Sequence, residues 1–219
     1  MSEIKLISPL LDDFDIGGSI SEHHGVSCYP AMRKDTDDRY IIKNVSIPAS
    51  QTQLDALLLT GVYPDAASAL PYFKDLADDT VAELDVLQRL SQGEGFVSYE
   101  NWQVSAKTDS VGFDVCMVGT YKYTLRKFMQ HQSMTHLSAV NLGLDICSAL
   151  AACRRTGYVY VDLKPNNIYV NDQTYSIGDI GFQRLDSLKY ATLPNKYCSQ
   201  YTAPEALDAF NALSPKLDV

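Results

Sequence analysis

The chain has 219 residues, 46% of them hydrophobic, enough for a real core in one large domain or two small ones. With 18 Lys and Arg against 27 Asp and Glu the net charge is −9, and the pairs Arg126-Lys127 and Arg154-Arg155 stand alone, so nucleic acid and anionic membrane surfaces are not expected as partners. The five cysteines (Cys28, Cys116, Cys147, Cys153, Cys198) are odd in number and without a CxxC pair; with no signal-like start and no apolar run of roughly 18 residues, this reads as a reduced, cytoplasmic chain without a membrane segment.

Residues 1–48 read as β-structure, closing with the β-branched run "RYIIKNVSI" at 39–47 and Pro48. Helical spacing follows. Leu54, Leu57 and Leu58 predict a short helix broken by Gly61 and Pro64, and Leu76, Val81, Leu84, Leu87 and Leu90 predict a longer one ended by Gly93. "FVSYENWQVSA" and "VGFDVCMVGT" read as a strand pair turned by "KTDS". The spacing of Leu137, Val140, Leu144, Cys147 and Ala151, widened by Ile146 and Leu150, predicts a helix over 133–157, with Ser133 as its cap and Gly157 as its stop. "NIYV" and "YSIG" read as two short strands around "NDQT".

Asp162, Lys164, Asn167 and Asp179 fall on two bends, each after an apolar run. Taken one at a time, "PNN" and "GDIG" are ordinary turns. Taken together they offer oxygen ligands suited to Mg²⁺ in Asn167 and Asp179, a cation for phosphate in Lys164 and a proton acceptor in Asp162.

The ordered set resembles the protein kinase family. "YVDLKPNNIYV" is similar to the catalytic-loop pattern HRDLKxxN, "DIG" to DFG, and "APE" at 203–205 is the third landmark in the same order. "YIIK" at 40–43 looks like the third-strand VAIK, and "AELDVLQRLS" at 82–91 like the helix whose glutamate pairs with that lysine. The resemblance runs from about residue 14 onward. It implies an α+β, two-lobed fold: an antiparallel β-sheet N-lobe over 1–120, with a helical insertion at about 49–72, and a helical C-lobe over 121–219. "LSPKLDV" resembles the lead-in to that lobe's central helix, so the C-lobe is expected to be incomplete, its activity weak and the face of the 133–157 helix uncovered and able to join a second copy as a homodimer.

The roles implied by position are these. Lys43 holds the α/β-phosphates of ATP and pairs with Glu83. Asp162 is the base or positioning group, Lys164 contacts the γ-phosphate, and Asn167 and Asp179 bind Mg²⁺. Met117 sits beside the adenine, with the backbone of Val118, Gly119 and Thr120 as the hinge. Gly17, Gly18 and Gly25 are the candidates for the phosphate-covering loop, though their spacing is not GxGxxG. Val161 replaces the arginine of HRD, which implies a kinase not switched by reading a phosphate on its activation loop. Cys198 replaces a threonine near APE, which bears on the choice among serine, threonine and tyrosine. Two functions are therefore carried forward: an ATP/Mg²⁺-dependent kinase acting on a protein hydroxyl, and a pseudokinase-like binding module.

Overall fold

Alternation of buried and outward side chains begins at Phe14 and organises the first sheet. In the computed structural model, which describes residues 10, 12–23, 25–93, 95–184 and 201, the chain divides into two compact units. One comprises Met1–Val81 and Tyr99–Tyr121, the other Ala82–Ser98 and Lys122–Val219. The APE segment, Cys198 and the "LSPKLDV" segment lie outside the described residues.

In the first unit, β1 (Phe14–Ile16), β3 (Val26–Arg33), β4 (Arg39–Ile47), β7 (Phe113–Thr120) and β6 (Asn101–Ala106) lie in that order in one antiparallel sheet, with β2 (Ser21–His23) also on β3. Phe14, Tyr29, Ala31, Tyr40, Ile42, Cys116 and Val118 bury one face, with Leu10 packed on it. Phe14 meets Tyr40 edge to face at 5.0 Å, and the Arg33 guanidinium lies over both rings at 5.4 and 4.6 Å. Because successive strand residues point to opposite faces, Arg39, Ile41 and Lys43 share the other face. Gly112 closes the β6–β7 turn where no other residue fits: a Cβ there would lie 2.0 Å from the Ile47 carbonyl oxygen.

The insertion after β4 is helical, as expected, over α1 (Gln51–Leu59). Ser50 caps it by accepting the Gln53 N–H, while the Gln53 side chain accepts the Ala49 N–H at 2.6 Å. The loop after α1 folds back so that the rings of Tyr63 and Tyr72 meet tilted, with centroids 6.0 Å apart. The next helix, α2 (Leu70–Leu90), buries Phe73, Leu76, Ala77, Thr80, Leu84 and Leu87, a helical period. It crosses from the first unit to the second after Val81.

The second unit pairs β5 (Phe96–Val97), β11 (Thr174–Gly178), β10 (Ile168–Asn171) and β8 (Tyr123–Thr124), in that order, and separately β12 (Phe182–Arg184) with β9 (Tyr158–Tyr160). Two helices accompany them, α3 (Leu125–His131) and α4 (His136–Arg155), and α4 lies against β9 and β11. Asp145 on α4 accepts the Tyr175 N–H of β11 at 2.8 Å.

Two expectations need correction. The stretch "FVSYENWQVSA" is not one strand: β5 pairs in parallel with β11, whereas β6 pairs with β7, and the break lets the Glu100 N–H reach the Val118 carbonyl at 2.8 Å. The cap of α4 is Thr135, not Ser133, because Thr135 is the last extended residue and its hydroxyl accepts the Ser138 N–H at 3.1 Å. At the other end Gly157 takes φ +83, and its N–H bonds the Arg154 carbonyl at 3.1 Å. By length and composition alone α4, with a mean hydropathy of 1.3, is long and apolar enough to cross a membrane, although it contains no uninterrupted apolar run of that length.

Candidate active site

Each unit carries its own set of the candidate residues. In the first, Lys43 sits mid-strand on β4, opposite Cys28 on β3 and Met117 on β7. Met117 is fully buried, and Val118, Gly119 and Thr120 continue β7 opposite Ile42, Ile41 and Tyr40. The Val118 carbonyl already accepts the Glu100 N–H. A cavity of about 420 Å³ opens beside the sheet, lined among others by Asp15, Gly17, Pro30, Arg39, Tyr40 and Tyr121; neither Lys43 nor any of residues 117–120 is in its lining.

The three glycines are not brought together. Gly25 lies at the β2–β3 turn with φ +78, its carbonyl accepting the Ser46 N–H at 2.7 Å, and a Cβ there would lie 2.5 Å from Ala49. Gly17 instead donates its N–H to Pro30 at 2.8 Å and lines the cavity, and Gly18 faces open space. Pro30 is four residues along β3 from Val26, roughly 13 Å at the rise of a strand. Gly17 and Gly18 therefore interrupt the first strand between β1 and β2 rather than forming the turn.

The second unit gathers the other group closely. The Lys164 ammonium donates to both Asp162 carboxylate oxygens, at 2.8 and 2.7 Å. Asn167, 4% exposed, donates its amide N–H to the Asp162 carbonyl oxygen at 3.0 Å and to its carboxylate at 2.8 Å. Burial raises the Asp162 carboxyl above the ordinary carboxylate range; Asp179 adds to this, while Lys164 and Asn167 oppose it. Asp179 holds φ +78, a left-handed conformation unusual for aspartate, and its own carboxylate accepts the Ile180 N–H at 2.8 Å.

The bend after Asp179 is fastened from two sides. The Val161 N–H bonds the Gly181 carbonyl at 2.8 Å, and a Cβ on Gly181 would lie 3.0 Å from that of Asp162, so glycine allows the two loops to touch. The buried Glu83 carboxylate accepts the successive N–H groups of Gly181 and Phe182 at 2.9 and 3.1 Å, a backbone nest holding an anion. Sequence reasoning assigned Glu83 to Lys43 and missed these two amides, which no side-chain pattern announces. It also gave no role to Tyr160, whose hydroxyl donates to the Gly178 carbonyl at 2.6 Å.

Among the described residues no cluster of three or more His, Cys, Asp or Glu could hold a metal. The amide oxygen of Asn167 and the carboxylate of Asp179, the expected ligands, would be an all-oxygen donor set. That suits Mg²⁺, which keeps much of its water and accepts few protein ligands.

An antiparallel sheet bearing a mid-strand lysine, and a second unit with an Asp-Lys-Asn loop fastened to an Asp-Ile-Gly bend, define a protein-kinase-type domain. The sequence model of the protein kinase domain matches residues 24–219, and the chain belongs to that family. It is 25% identical to "Cell division control protein 2 homolog D" of Antirrhinum majus over 225 positions, covering 100% of this chain and 66% of that protein. It is 34% identical to "Cyclin-dependent kinase F-3" of Oryza sativa subsp. japonica over 79 residues, 36% of this chain and 18% of that one. The chain thus spans just under two thirds of the length of the first relative.

Proposed function

We propose that the chain supplies the ATP- and Mg²⁺-dependent phosphotransfer machinery of a protein kinase acting on serine or threonine hydroxyls. The observation that carries this reading is the Asp162–Lys164–Asn167 cluster, tied to the Asp179 bend within one unit. Asp162 takes the proton of the attacking hydroxyl, and burial makes its carboxylate a stronger base than an exposed one. Lys164 keeps Asp162 ionised before substrate arrives and offers its charge to the γ-phosphate. Asn167 and Asp179 hold Mg²⁺, which neutralises charge on the β- and γ-phosphates. Lys43 meets the α- and β-phosphates, Met117 sits beside the adenine, and the backbone of Val118, Gly119 and Thr120 is its hinge. The name of the second relative, a cyclin-dependent kinase, supports a kinase in broad terms. Val161 is buried against the Gly181 carbonyl, where the motif arginine would otherwise read a phosphate, so activity does not wait on that modification.

One observation favours a second reading. Gly17 and Gly18 are remote from the β2–β3 turn, which suits a pseudokinase-like module that holds a nucleotide or protein without turnover. Calorimetric nucleotide binding and phosphate transfer from labelled ATP separate the two. On the kinase reading, Asp179→Asn removes Mg²⁺-dependent nucleotide binding, whereas Asp162→Asn keeps binding and lowers turnover about 10²–10⁴-fold. Nucleotide binding without transfer by the wild-type protein, on any of a panel of serine, threonine and tyrosine peptides, would establish the binding module instead.

A further inference from the structure

The helical insertion between β4 and α2 belongs wholly to the first unit and holds none of the residues given a catalytic role. Its shape is fixed from within. Leu54 is buried, and Ser50 and Thr60 close the two ends of α1. The Thr60 hydroxyl donates to the Leu57 carbonyl at 2.7 Å and accepts the Val62 N–H at 3.3 Å, which ties the turn beyond the helix to its last residues. On this frame Leu59 is 87% exposed and Val62 70%, the two highest values for large apolar side chains among the described residues. Single exposed apolar residues are ordinary on a protein surface. Here the two most exposed lie three residues apart on a capped turn, and together they make a patch that a partner would shield from water.

The charge around the patch decides what that partner is. Asp55 stands four residues before Leu59, one turn along the same helix face, and Asp65 three residues after Val62; both are exposed. Residues 49–81 hold five aspartates and one lysine, a net charge of −4, and that lysine, Lys74, is already paired with Asp78. A second copy of this chain, itself at net −9, or an anionic lipid surface would bring like charge to this face.

We propose that the α1 insertion is a docking surface for a basic segment of another protein. A leucine- or phenylalanine-like side chain of that segment packs on Leu59 and Val62, and its flanking lysines or arginines face Asp55 and Asp65. The site does not depend on the kinase reading: it holds its partner whether or not the chain transfers phosphate.

The test begins with a displayed library of random peptides selected on the full chain. Clones that bind the wild-type protein and not Leu59→Ser should be rich in lysine and arginine beside an apolar residue. A synthetic peptide of such a clone, followed by fluorescence anisotropy, should lose about five- to thirtyfold in affinity on Leu59→Ser or Val62→Ser, the range for truncated interface anchors. Asp55→Asn should weaken it too, and wild-type affinity should fall as salt rises from about 0.05 to 0.5 M. Both apolar side chains face water, so neither serine variant should change the melting temperature. Met129→Ser, at a 55% exposed residue of the second unit, should leave the affinity unchanged. Finding no Leu59-dependent clones, finding that they are acidic or uncharged, or finding binding indifferent to salt overturns the proposal. So does a dimer that Leu59→Ser dissociates, or binding to phosphatidylserine-containing vesicles that Leu59→Ser abolishes, since the patch would then serve a second copy or a membrane.

Discussion

The carboxyl of Asp162 is subject to opposed influences, and their balance can be measured. Burial, the largest, raises its affinity for a proton, and the Lys164 ammonium lowers it; the net direction is upward. Folded Asp162 therefore binds a proton more readily than the unfolded chain does. Linkage then favours the fold below the unfolded carboxyl value near ~3.9 and withdraws that contribution as pH rises through the elevated folded value. Asp162→Asn has no such titration. The melting temperature of the wild-type protein relative to this variant should thus improve as pH is lowered from 7 toward 4; an unchanged difference would show that the Lys164 pairing cancels burial. The identities of Asp162, Lys164, Asn167 and Asp179 were legible in the sequence because their order and spacing are tied to one chemistry. The acceptor role of Glu83 was not, since its partners are backbone amides 98 and 99 residues away. Nor was the donation of the Tyr160 hydroxyl to the Gly178 carbonyl, since an aromatic in a strand reads as packing alone. The glycines misled for a related reason: glycine marks a permissive backbone, and only the register of β1 and β2 on β3 shows which one lies at a turn.

For helix α4, periodicity predicted the extent and left the face undecided, because apolar residues occur on both sides. The fold buries Ile146, Ala149 and Cys153, and it leaves Leu137 and Leu144 62% exposed and Val140 45%. Those three recur at helical spacing and form an unbroken stripe. Fully burying such a side chain is worth roughly 1.5–3 kcal/mol, and these are already partly covered. Against an association cost of ~4–15 kcal/mol, six of them from two copies support only a weak dimer. We expect reversible self-association visible by light scattering at tens to hundreds of micromolar, abolished by Leu144→Asp; a strict monomer throughout that range would refute it. The strand-break at 98–100 was illegible for another reason. No local rule sends Val97 and Asn101 to different sheets; their partners, Gly178 and Val118, are set by tertiary pairing.

Across the molecule, the division into units cuts one element in the middle. The bond between Val81 and Ala82 lies inside α2, with uninterrupted helix on either side. Were one unit to melt alone, the helix would have to end there, leaving up to four amide hydrogens on one side and four carbonyls on the other without intrahelical partners. Neither remaining piece would exceed the ~12–15 residues at which an isolated helix becomes more than marginal in water. Glu83, next to the cut, would sit in the frayed turn, and the amides of Gly181 and Phe182 would lose their acceptor with it. The consequence is cooperativity: despite two compact units, heat denaturation should follow a single transition with calorimetric and van't Hoff enthalpies in agreement. Placing a proline at position 82 should split it into two. A wild-type protein that already melts in two steps would show that the shared helix does not couple them.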